Sequence, residues 1–298
     1  MSRILVVGPA GQIGFELCRT LTSLGQVITA GPGKADFPLD LASPDSIREV
    51  LSGARADVIV NAAAYTAVDQ AELEPEAAFA INRDGPGVMA ETAARQGALL
   101  VHYSTDYVFD GGKQDAYTET DAPNPVSVYG KSKLGGEQAV QAAGGRHLIF
   151  RTSWVYGLRG HNFLLTMLHL AAERESLSVV DDQFGVPNWS GWLAEATAAA
   201  LATVLADPAR AGHASGIYHL SAAGETTWHG FAGAILAAVR HEPGIRATTV
   251  TAITTSEYPT PAARPARSTL DATRFAQAFR TGIPHWRACL RQCLAARG

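Results

Sequence analysis

A strand, a glycine-rich turn and a helix open this chain, and together they constrain its fold more than any other feature. Ile4-Leu5-Val6-Val7 is short, continuous and rich in β-branched residues, as in a parallel strand buried on both faces. The turn Gly8-x-x-Gly11-x-x-Gly14 follows at once, and residues 15–24 have a helical pattern. Glycines at such a turn let a pyrophosphate approach the backbone at the positive end of a helix. The opening therefore predicts a nucleotide-binding βα unit.

The spacing of these glycines is GxxGxxG rather than the commoner GxGxxG fingerprint. Taken alone, a glycine-rich turn is as often structural as functional. Its place directly after the first strand favours cofactor binding over a purely structural turn.

Strands and helices keep alternating through the first half of the chain, which predicts an α/β fold with a doubly wound parallel sheet. After residue 155 this rhythm loosens and proline becomes more frequent. We therefore expect a dinucleotide-binding domain at 1–155, with roughly 186–220 returning to its sheet, and a smaller C-terminal substrate lobe at 156–185 and 221–298. The predicted elements are strands at 27–30, 57–61, 99–102, 148–151, 178–180 and 217–220, and helices at 46–51, 72–96 (interrupted near Gly85-Pro86-Gly87), 163–173 and 192–205.

The amino-acid composition and net charge restrict the kinds of molecule that this protein is expected to bind. The 298 residues are 47% hydrophobic and 17% charged, as in a soluble globular enzyme, and the net charge of -4 offers no basic surface for nucleic acid or an anionic membrane. Cys18, Cys289 and Cys293 form no disulfide framework, and the last two are interpreted as core residues rather than a metal or redox pair. With no signal peptide before the first strand and no long apolar run, we expect a cytoplasmic protein.

The segment Tyr129-Gly130-Lys131-Ser132-Lys133 carries the strongest chemical signal. On a helix, Tyr129 and Lys133 lie one turn apart on the same face, where an ammonium is expected to lower the pKa of the phenol. Such a tyrosine can give a proton to a carbonyl oxygen as hydride reaches its carbon. The pattern alone is weak, since a solvated pair on an amphipathic helix has the same spacing.

Thr105 strengthens this interpretation, because it follows a predicted strand at the sheet edge where ligands bind in such folds. Its hydroxyl could hydrogen-bond a substrate carbonyl beside Tyr129, although a strand-end cap would explain Thr105 alone. Thr105, Tyr129 and Lys133 together predict a reductase triad.

The end of the second strand bears on cofactor choice. An NAD site usually has an acid there for the ribose 2′-hydroxyl, whereas this chain has Ala30-Gly31-Pro32-Gly33-Lys34. Lys34 could face a 2′-phosphate, which favours NADPH over NADH, or it could be a solvated loop cation.

At this point the chain resembles the extended short-chain dehydrogenase/reductases, and more closely the dTDP-4-dehydrorhamnose reductase family. The first matching segment is generic to the superfamily, and the Thr-Asp-Tyr-Val-Phe and Ser-Trp-Val-Tyr-Gly segments are much more specific. The matching segments are Gly11-Gln12-Ile13-Gly14, Val60-Asn61-Ala62-Ala63-Ala64-Tyr65-Thr66-Ala67-Val68-Asp69, Ser104-Thr105-Asp106-Tyr107-Val108-Phe109, Tyr129-Gly130-Lys131-Ser132-Lys133-Leu134, Arg151-Thr152-Ser153-Trp154-Val155-Tyr156-Gly157, Asp182-Gln183-Phe184-Gly185-Val186-Pro187 and Arg264-Pro265.

The resemblance implies a Rossmann-type fold and reduction of the C4 ketone of dTDP-4-dehydro-6-deoxy-L-mannose to dTDP-L-rhamnose by NADPH or NADH. Tyr129 would supply the proton, and Lys133 would also hold the nicotinamide ribose. Trp154 suits an apolar wall for a 6-deoxy sugar or a core position, and Arg264 suits a diphosphate or a surface ion pair. Implied cofactor contacts are Gly8, Gly11, Gln12, Ile13, Gly14, Asp40, Leu41, Ala64, Tyr65, Thr66, Tyr129 and Lys133, and implied substrate contacts are Thr105, Asp106, Trp154, Asn162 and Arg264.

The chain departs from the family pattern in two places. Asn188-Trp189 stands where threonine usually follows the Gly-x-Pro, so local substrate contacts are expected to differ. Some relatives form a dimer around a magnesium ion held by glutamates; Glu16 matches one ligand, but the later glutamate is replaced near Gly191-Trp192. We therefore predict no required metal and leave a homodimer open.

Other functions remain possible at this stage. A sugar-nucleotide dehydratase would need a second carboxylate after the catalytic threonine, and Thr105 is followed by Asp106-Tyr107. An epimerase could use the same triad but would recycle its bound NAD. A non-catalytic NADP-binding regulatory subunit is the alternative from another class, and the intact triad disfavours it.

Overall fold

A seven-stranded parallel sheet flanked by helices forms the centre of the molecule in the computed structural model, which describes residues 2–207 and 214–297. The strand order is β11-β6-β5-β4-β1-β2-β3, so the chain reverses direction across the sheet between β1 and β4. The doubly wound α/β prediction is confirmed. The strands are β1 (Ser2–Val7), β2 (Gly25–Gly31), β3 (Phe37–Pro38), β4 (Val58–Asn61), β5 (Leu99–Thr105), β6 (His147–Thr152), β7 (Val155–Tyr156), β8 (Ser176–Val180), β9 (Phe184–Gly185), β10 (Asn188–Trp189), β11 (Gly216–His219), β12 (Thr226–Thr227) and β13 (Thr249–Ile253).

Helices cover both faces of this sheet, because alternate residues of its strands enter two separate apolar layers. Ile4 and Val6 belong to one layer, and Leu5 and Val7 to the other. The helices are α1 (Gln12–Thr20), α2 (Pro44–Ala54), α3 (Val68–Ala71), α4 (Pro75–Phe79), α5 (Gly85–Gln96), α6 (Val128–Ala142), α7 (Phe163–Glu173), α8 (Ser190–Ala206), α9 (Trp228–Val239), α10 (Thr273–Phe279) and α11 (Trp286–Ala295).

The later part of the chain adds short two-stranded pairs. Two of these pairs are parallel, β7 with β10 and β8 with β13, and the pair of β9 with β12 is antiparallel. The segment after β10 returns to the sheet, since α8 packs on α1 and β11 pairs with β6. The division of the chain into two lobes stays a prediction.

Two predicted boundaries are wrong. The interruption expected at Gly85-Pro86-Gly87 lies earlier, in a π-helical turn over Ala80–Asp84 that joins α4 to α5. Pro86 causes no break because it stands in the first turn of α5, where a backbone N–H has no helical partner to lose. The first helix is also displaced, since α1 ends at Thr20 and a 3₁₀ turn covers Leu21–Ser23.

Among residues 2–207 and 214–297, no helix has the length and apolar character needed to cross a membrane. Cys289 and Cys293 lie on α11 as fully buried thiols in the apolar core, so their interpretation as core residues is confirmed.

Candidate active site

The carboxyl ends of the central strands bring the main sequence-predicted groups to one edge of the sheet. Gly8 follows β1 at the point where the strand order reverses, and Thr105 ends β5. Thr105 is paired with Thr152 at the end of β6, so Trp154 follows two residues beyond the same edge. Ligands bind at this edge in doubly wound sheets.

The glycine-rich turn is shaped partly by packing and partly by space for a ligand. Gly8 has a φ of +82°, and a Cβ on Gly14 would lie 2.0 Å from the Gly8 carbonyl oxygen, so the fold itself requires both. A Cβ on Gly11 would meet only that oxygen, at 3.4 Å. Gly11 is also the N-cap of α1, and no side chain in the described part of the chain caps that helix. This bare helix N-terminus fits the pyrophosphate of a dinucleotide.

Gly11→Val is therefore expected to weaken NADPH binding roughly tenfold or more, equivalent to about 1.4 kcal/mol, while changing stability by only about 1 kcal/mol. We expect the added side chain to enter the space predicted for the pyrophosphate, because its Cβ would meet only the Gly8 carbonyl oxygen. Fluorescence titration with NADPH, alongside thermal unfolding, measures both effects. Gly14→Ala is the contrast, because its Cβ would collide with backbone, and it should lower stability and binding together. Unchanged NADPH affinity in Gly11→Val would remove the cofactor from this turn.

The other predicted cofactor residues lie on α1 and on the loops that follow β3 and β4. The loop with Ala64, Tyr65 and Thr66 follows β4, and Asn82 holds it by two hydrogen bonds. The Tyr65 N–H donates to Asn82 Oδ1 at 2.9 Å, and Asn82 Nδ2 donates to the Tyr65 carbonyl oxygen at 3.0 Å. Ile13 packs on the core from α1. Asp40 and Lys34 are exposed beyond β2, and Leu41 is half-buried.

Asn162, an implied substrate contact, has protein partners in this structure. It is buried as the N-cap of α7, and its Nδ2 donates to Gln12 Oε1 at 2.9 Å and to the carbonyl oxygens of Gly157 and Arg159. Its Oδ1 accepts from the Leu165 N–H at 3.1 Å. Because the amide is engaged within the protein, Asn162 orients Gln12 in this structure.

The predicted helix carrying Tyr129 and Lys133 is confirmed as α6. Ser127 caps it by accepting from the Gly130 N–H at 3.1 Å, and a Cβ on Gly130 would lie 2.2 Å from the Tyr107 carbonyl oxygen. This close approach brings the first turn of α6 against the segment after Thr105. The Thr105 hydroxyl accepts from the Tyr107 N–H at 3.2 Å and donates to Asp106 Oδ1 at 3.1 Å.

The expected lowering of the Tyr129 pKa by Lys133 is wrong for this structure. Burial raises the pKa of Tyr129 to about 12; the Thr105 hydroxyl opposes the rise and the Asp106 charge adds to it. The Lys133 ammonium has other partners, since Nζ donates to the Tyr103 carbonyl oxygen at 2.6 Å and lies 3.5 Å from His102 Nε2. Burial also lowers the pKa of Lys133 to about 8, against the opposing charge of Glu137.

Asp106 is a buried carboxyl beside the triad. Oδ2 has no hydrogen-bond partner within the described residues, and burial raises the pKa of Asp106 to about 7, although the Ser268 and Thr105 hydroxyls oppose the rise. The folded protein therefore holds this proton at pH values where an unfolded aspartate has lost it.

Protein stability should accordingly fall as pH rises from about 4 to about 7, by up to roughly 4 kcal/mol from this group, because the unfolded state binds fewer protons over that range. Asp106→Asn should remove this part of the pH dependence. Chemical denaturation of both proteins from pH 4 to pH 8 measures it, with Asp45→Asn as an exposed control. Parallel stability curves for wild type and Asp106→Asn would contradict the raised pKa.

Two predicted substrate residues already have protein partners. One face of the Trp154 indole is stacked on Trp228, with ring centroids 3.6 Å apart and planes 8° from parallel. Arg264 forms a bidentate pair with Asp69, Nη2 to Oδ2 at 2.8 Å and Nη1 to Oδ1 at 3.1 Å. Asp69 belongs to α3, so this pair joins the proline-rich C-terminal segment to the helix that follows the loop after β4.

Several residues that support the site were missed by sequence reasoning. Nδ2 of Asn82, in the π-helical turn, also donates to Ser132 Oγ at 3.0 Å, which connects the loop after β4 to α6. Glu137, one turn beyond Lys133, forms a buried bidentate pair with Arg151 at 2.9 and 2.6 Å. For both Asn82 and Glu137, the only sign in the sequence was a polar residue at a helix position expected to be buried.

Among the described residues, His, Cys, Asp and Glu side chains form no group of three or more that could hold a metal ion. That the protein requires no metal stays a prediction. Glu16, the residue matched to a magnesium ligand in some relatives, pairs with Arg19 at 3.2 Å.

Comparison with known proteins gives consistent matches over the whole chain. The family model described as RmlD substrate binding domain matches residues 1–297. The dTDP-4-dehydrorhamnose reductase of Burkholderia thailandensis is 48% identical, covering 98% of each chain, and that of Salmonella typhimurium is 45% identical, covering 98% of this chain and 96% of the relative. The crystal structure of the Bacillus anthracis dTDP-4-dehydrorhamnose reductase in complex with NADP is 32% identical, with a TM-score of 0.85 over 99% of both chains.

Proposed function

The chain belongs to the dTDP-4-dehydrorhamnose reductase family, and from that premise we propose that it reduces the C4 ketone of dTDP-4-dehydro-6-deoxy-L-mannose to give dTDP-L-rhamnose. The cofactor is NADPH or NADH. The observation that carries the proposal is the joint position of Thr105 at the end of β5 and of Tyr129 and Lys133 on α6. The resemblance to these reductases along the whole chain supports the same substrate.

In this proposal Tyr129 is the proton donor. With a pKa of about 12, its phenol is protonated at neutral pH and is therefore in the form that can donate. When bound, NADPH supplies the hydride that reduces C4. The Tyr129 proton goes to the C4 oxygen, so ketone, hydride and proton together give the alcohol. The Thr105 hydroxyl orients the C4 oxygen beside Tyr129.

Lys133 has two proposed roles. Its pKa of about 8 leaves the amine mostly protonated at neutral pH, and once Nζ has left the Tyr103 carbonyl oxygen it stabilises negative charge that develops on the Tyr129 oxygen. It also holds the nicotinamide ribose, which requires Nζ to exchange its bond with the Tyr103 carbonyl oxygen for bonds to the ribose.

The proposed cofactor contacts follow the glycine-rich turn and the neighbouring strand ends. Lys34, exposed after β2, favours the 2′-phosphate of NADPH over the 2′-hydroxyl of NADH. The proposed residues around the cofactor are Gly8, Gly11, Gln12, Ile13, Gly14, Asp40, Leu41, Ala64, Tyr65, Thr66, Tyr129 and Lys133.

On the substrate side, Thr105 and Asp106 contact the sugar, and the Trp154–Trp228 pair bounds it with apolar surface suited to the C6 methyl group. Arg264 binds the diphosphate, in competition with its present partner Asp69. A homodimer stays a prediction.

The test is NADPH oxidation in the presence of dTDP-4-dehydro-6-deoxy-L-mannose generated in situ. Stoichiometric oxidation with dTDP-L-rhamnose as the product is the expected result. Conversion of the sugar without net NADPH consumption would instead identify an epimerase. NADPH binding with neither sugar conversion nor NADPH oxidation would overturn the proposed reaction and favour a regulatory subunit or a different nucleotide sugar.

A further inference from the structure

Trp154 has an unusual backbone conformation for a bulky residue. Its φ is +42°, in the left-handed region that side chains other than glycine rarely occupy. Within the described residues, the other non-glycine cases are Arg55 and Arg280, and both end a helix, where a left-handed residue is ordinary. Trp154 lies instead in the turn between β6 and β7. Such a conformation persists only where the surroundings hold it, and it often marks a functional site.

Asn188 holds this turn from the backbone side. Its N–H donates to the Trp154 carbonyl oxygen at 3.1 Å. Its Nδ2 donates to the Ser153 carbonyl oxygen at 2.8 Å, to Ser153 Oγ at 3.0 Å and to the Val186 carbonyl oxygen at 3.0 Å. Its Oδ1 accepts from the Ala222 N–H at 2.7 Å. The side chain is fully buried, so every one of these bonds is shielded from water.

The ring of Trp154 is held from the other side. Trp228 stacks on it, and Phe163 packs on Trp228 with a centroid distance of 4.6 Å. Gly185 also approaches the indole so closely that a Cβ there would lie 2.6 Å from Cε2. Trp154 is thus held at two points, its ring by Trp228 and its backbone by Asn188.

Resting on the proposed function, we infer that Asn188 is a positioning residue for the sugar site, which keeps Trp154 in its left-handed turn and stacked on Trp228. Asn188 does not itself touch the reacting atoms. It acts through Trp154, which lies beyond the strand end paired with Thr105. This also gives a role to the asparagine that stands where the family resemblance leads one to expect threonine, because the amide has two N–H donors to share among three oxygens and a separate oxygen that accepts from Ala222, whereas a threonine hydroxyl has a single O–H.

Asn188→Asp tests the inference with almost no change of shape. The new carboxylate would face three oxygen atoms to which Nδ2 now donates, so the turn should open and the indole stack should loosen. A stacked indole pair gives an exciton couplet in far-ultraviolet circular dichroism, and we expect this couplet to weaken. The KM for the nucleotide sugar should rise about tenfold, equivalent to roughly 1.4 kcal/mol, with a small change in kcat and an unchanged Kd for NADPH.

Two further variants make the measurement specific. Trp228→Phe should abolish the couplet and so assign it to this pair, since the other tryptophans remain. Gln141→Glu, the same change of amide to carboxylate on an exposed side chain, should leave the couplet and the KM at their wild-type values. A purely structural loss would lower stability and affect cofactor and sugar binding alike.

A folded Asn188→Asp protein with the wild-type couplet and the wild-type KM would overturn the inference. If that variant does not fold, Asn188→Ser is measured in the same way, and wild-type values there would also overturn it. A weakened couplet in a protein whose wild-type form does not reduce the sugar would sustain the role of Asn188 in holding Trp154 and overturn the proposed function. The couplet therefore tests whether Asn188 holds Trp154, and reduction of the sugar by the wild type tests the proposed function, so either idea can be overturned without the other.

Discussion

Tyr129→Phe is expected to reduce turnover by roughly 10²–10⁴-fold, the usual contribution of a positioned general acid, while the Kd for NADPH stays near its wild-type value. The substitution removes one hydroxyl and keeps the ring, which packs edge-on against Tyr107 at 5.8 Å. Because the phenol is protonated at neutral pH, wild-type turnover should not require its ionisation before the reaction. Steady-state NADPH oxidation and a separate NADPH titration measure the two effects.

Tyr258→Phe is the matched control, since it removes a hydroxyl from an exposed tyrosine and should leave kcat unchanged. Turnover close to wild type in Tyr129→Phe would exclude Tyr129 as the proton donor. Equal losses of turnover and NADPH affinity would instead assign it to cofactor binding.

Glu137→Gln is expected to lower the free energy of unfolding by roughly 3–5 kcal/mol, the range for breaking a buried ion pair from one side. Glu137 and Arg151 are 1% and 2% exposed, so the remaining guanidinium would have no solvent to replace the lost carboxylate. Glu137 also accepts from Ser104 Oγ at 2.5 Å, which connects α6 to the residue before Thr105. Denaturant unfolding measures the loss.

The exposed pair of Glu242 and Arg297, 3.1 Å apart, supplies the comparison. Glu242→Gln should cost about 1 kcal/mol or less, because solvent screens an exposed pair. Similar small losses in both variants would show that the buried pair is not a main support of α6. A large loss in Glu137→Gln accompanied by lower kcat in the fraction that remains folded would connect this support to the position of Tyr129 and Lys133.

Several parts of the candidate site could be anticipated from short stretches of chain. The turn between β1 and α1 was predicted because three glycines at fixed spacing follow an apolar strand, and each of these signals lies within a few residues. The common face of Tyr129 and Lys133 follows from the helical repeat alone. The position of Thr105 at the sheet edge required only that residues 99–102 form a buried strand.

Other parts depended on residues far apart in the chain. Asn162 carries a side chain suited to a phosphate, yet its Nδ2 is taken by Gln12, 150 residues away. Asn188 gains its role from Ser153 and Ala222, which lie on two separate segments. Hydrogen-bond partners of this kind leave no periodic pattern in a sequence. The sequence therefore showed that asparagine stands at 188 in place of the family's usual threonine, but not which groups it binds.

The chemical identity and order of the reacting groups are thus properties of the sequence, since side-chain type and local repeat act over a few residues. The electrostatic state of those groups is a property of the packed molecule. Burial raises the pKa of Tyr129 and Asp106, and the Lys133 ammonium donates to the Tyr103 carbonyl oxygen. Desolvation and charge separation depend on what surrounds a group in three dimensions, and here those surroundings come from strands and helices that meet only when the sheet has formed.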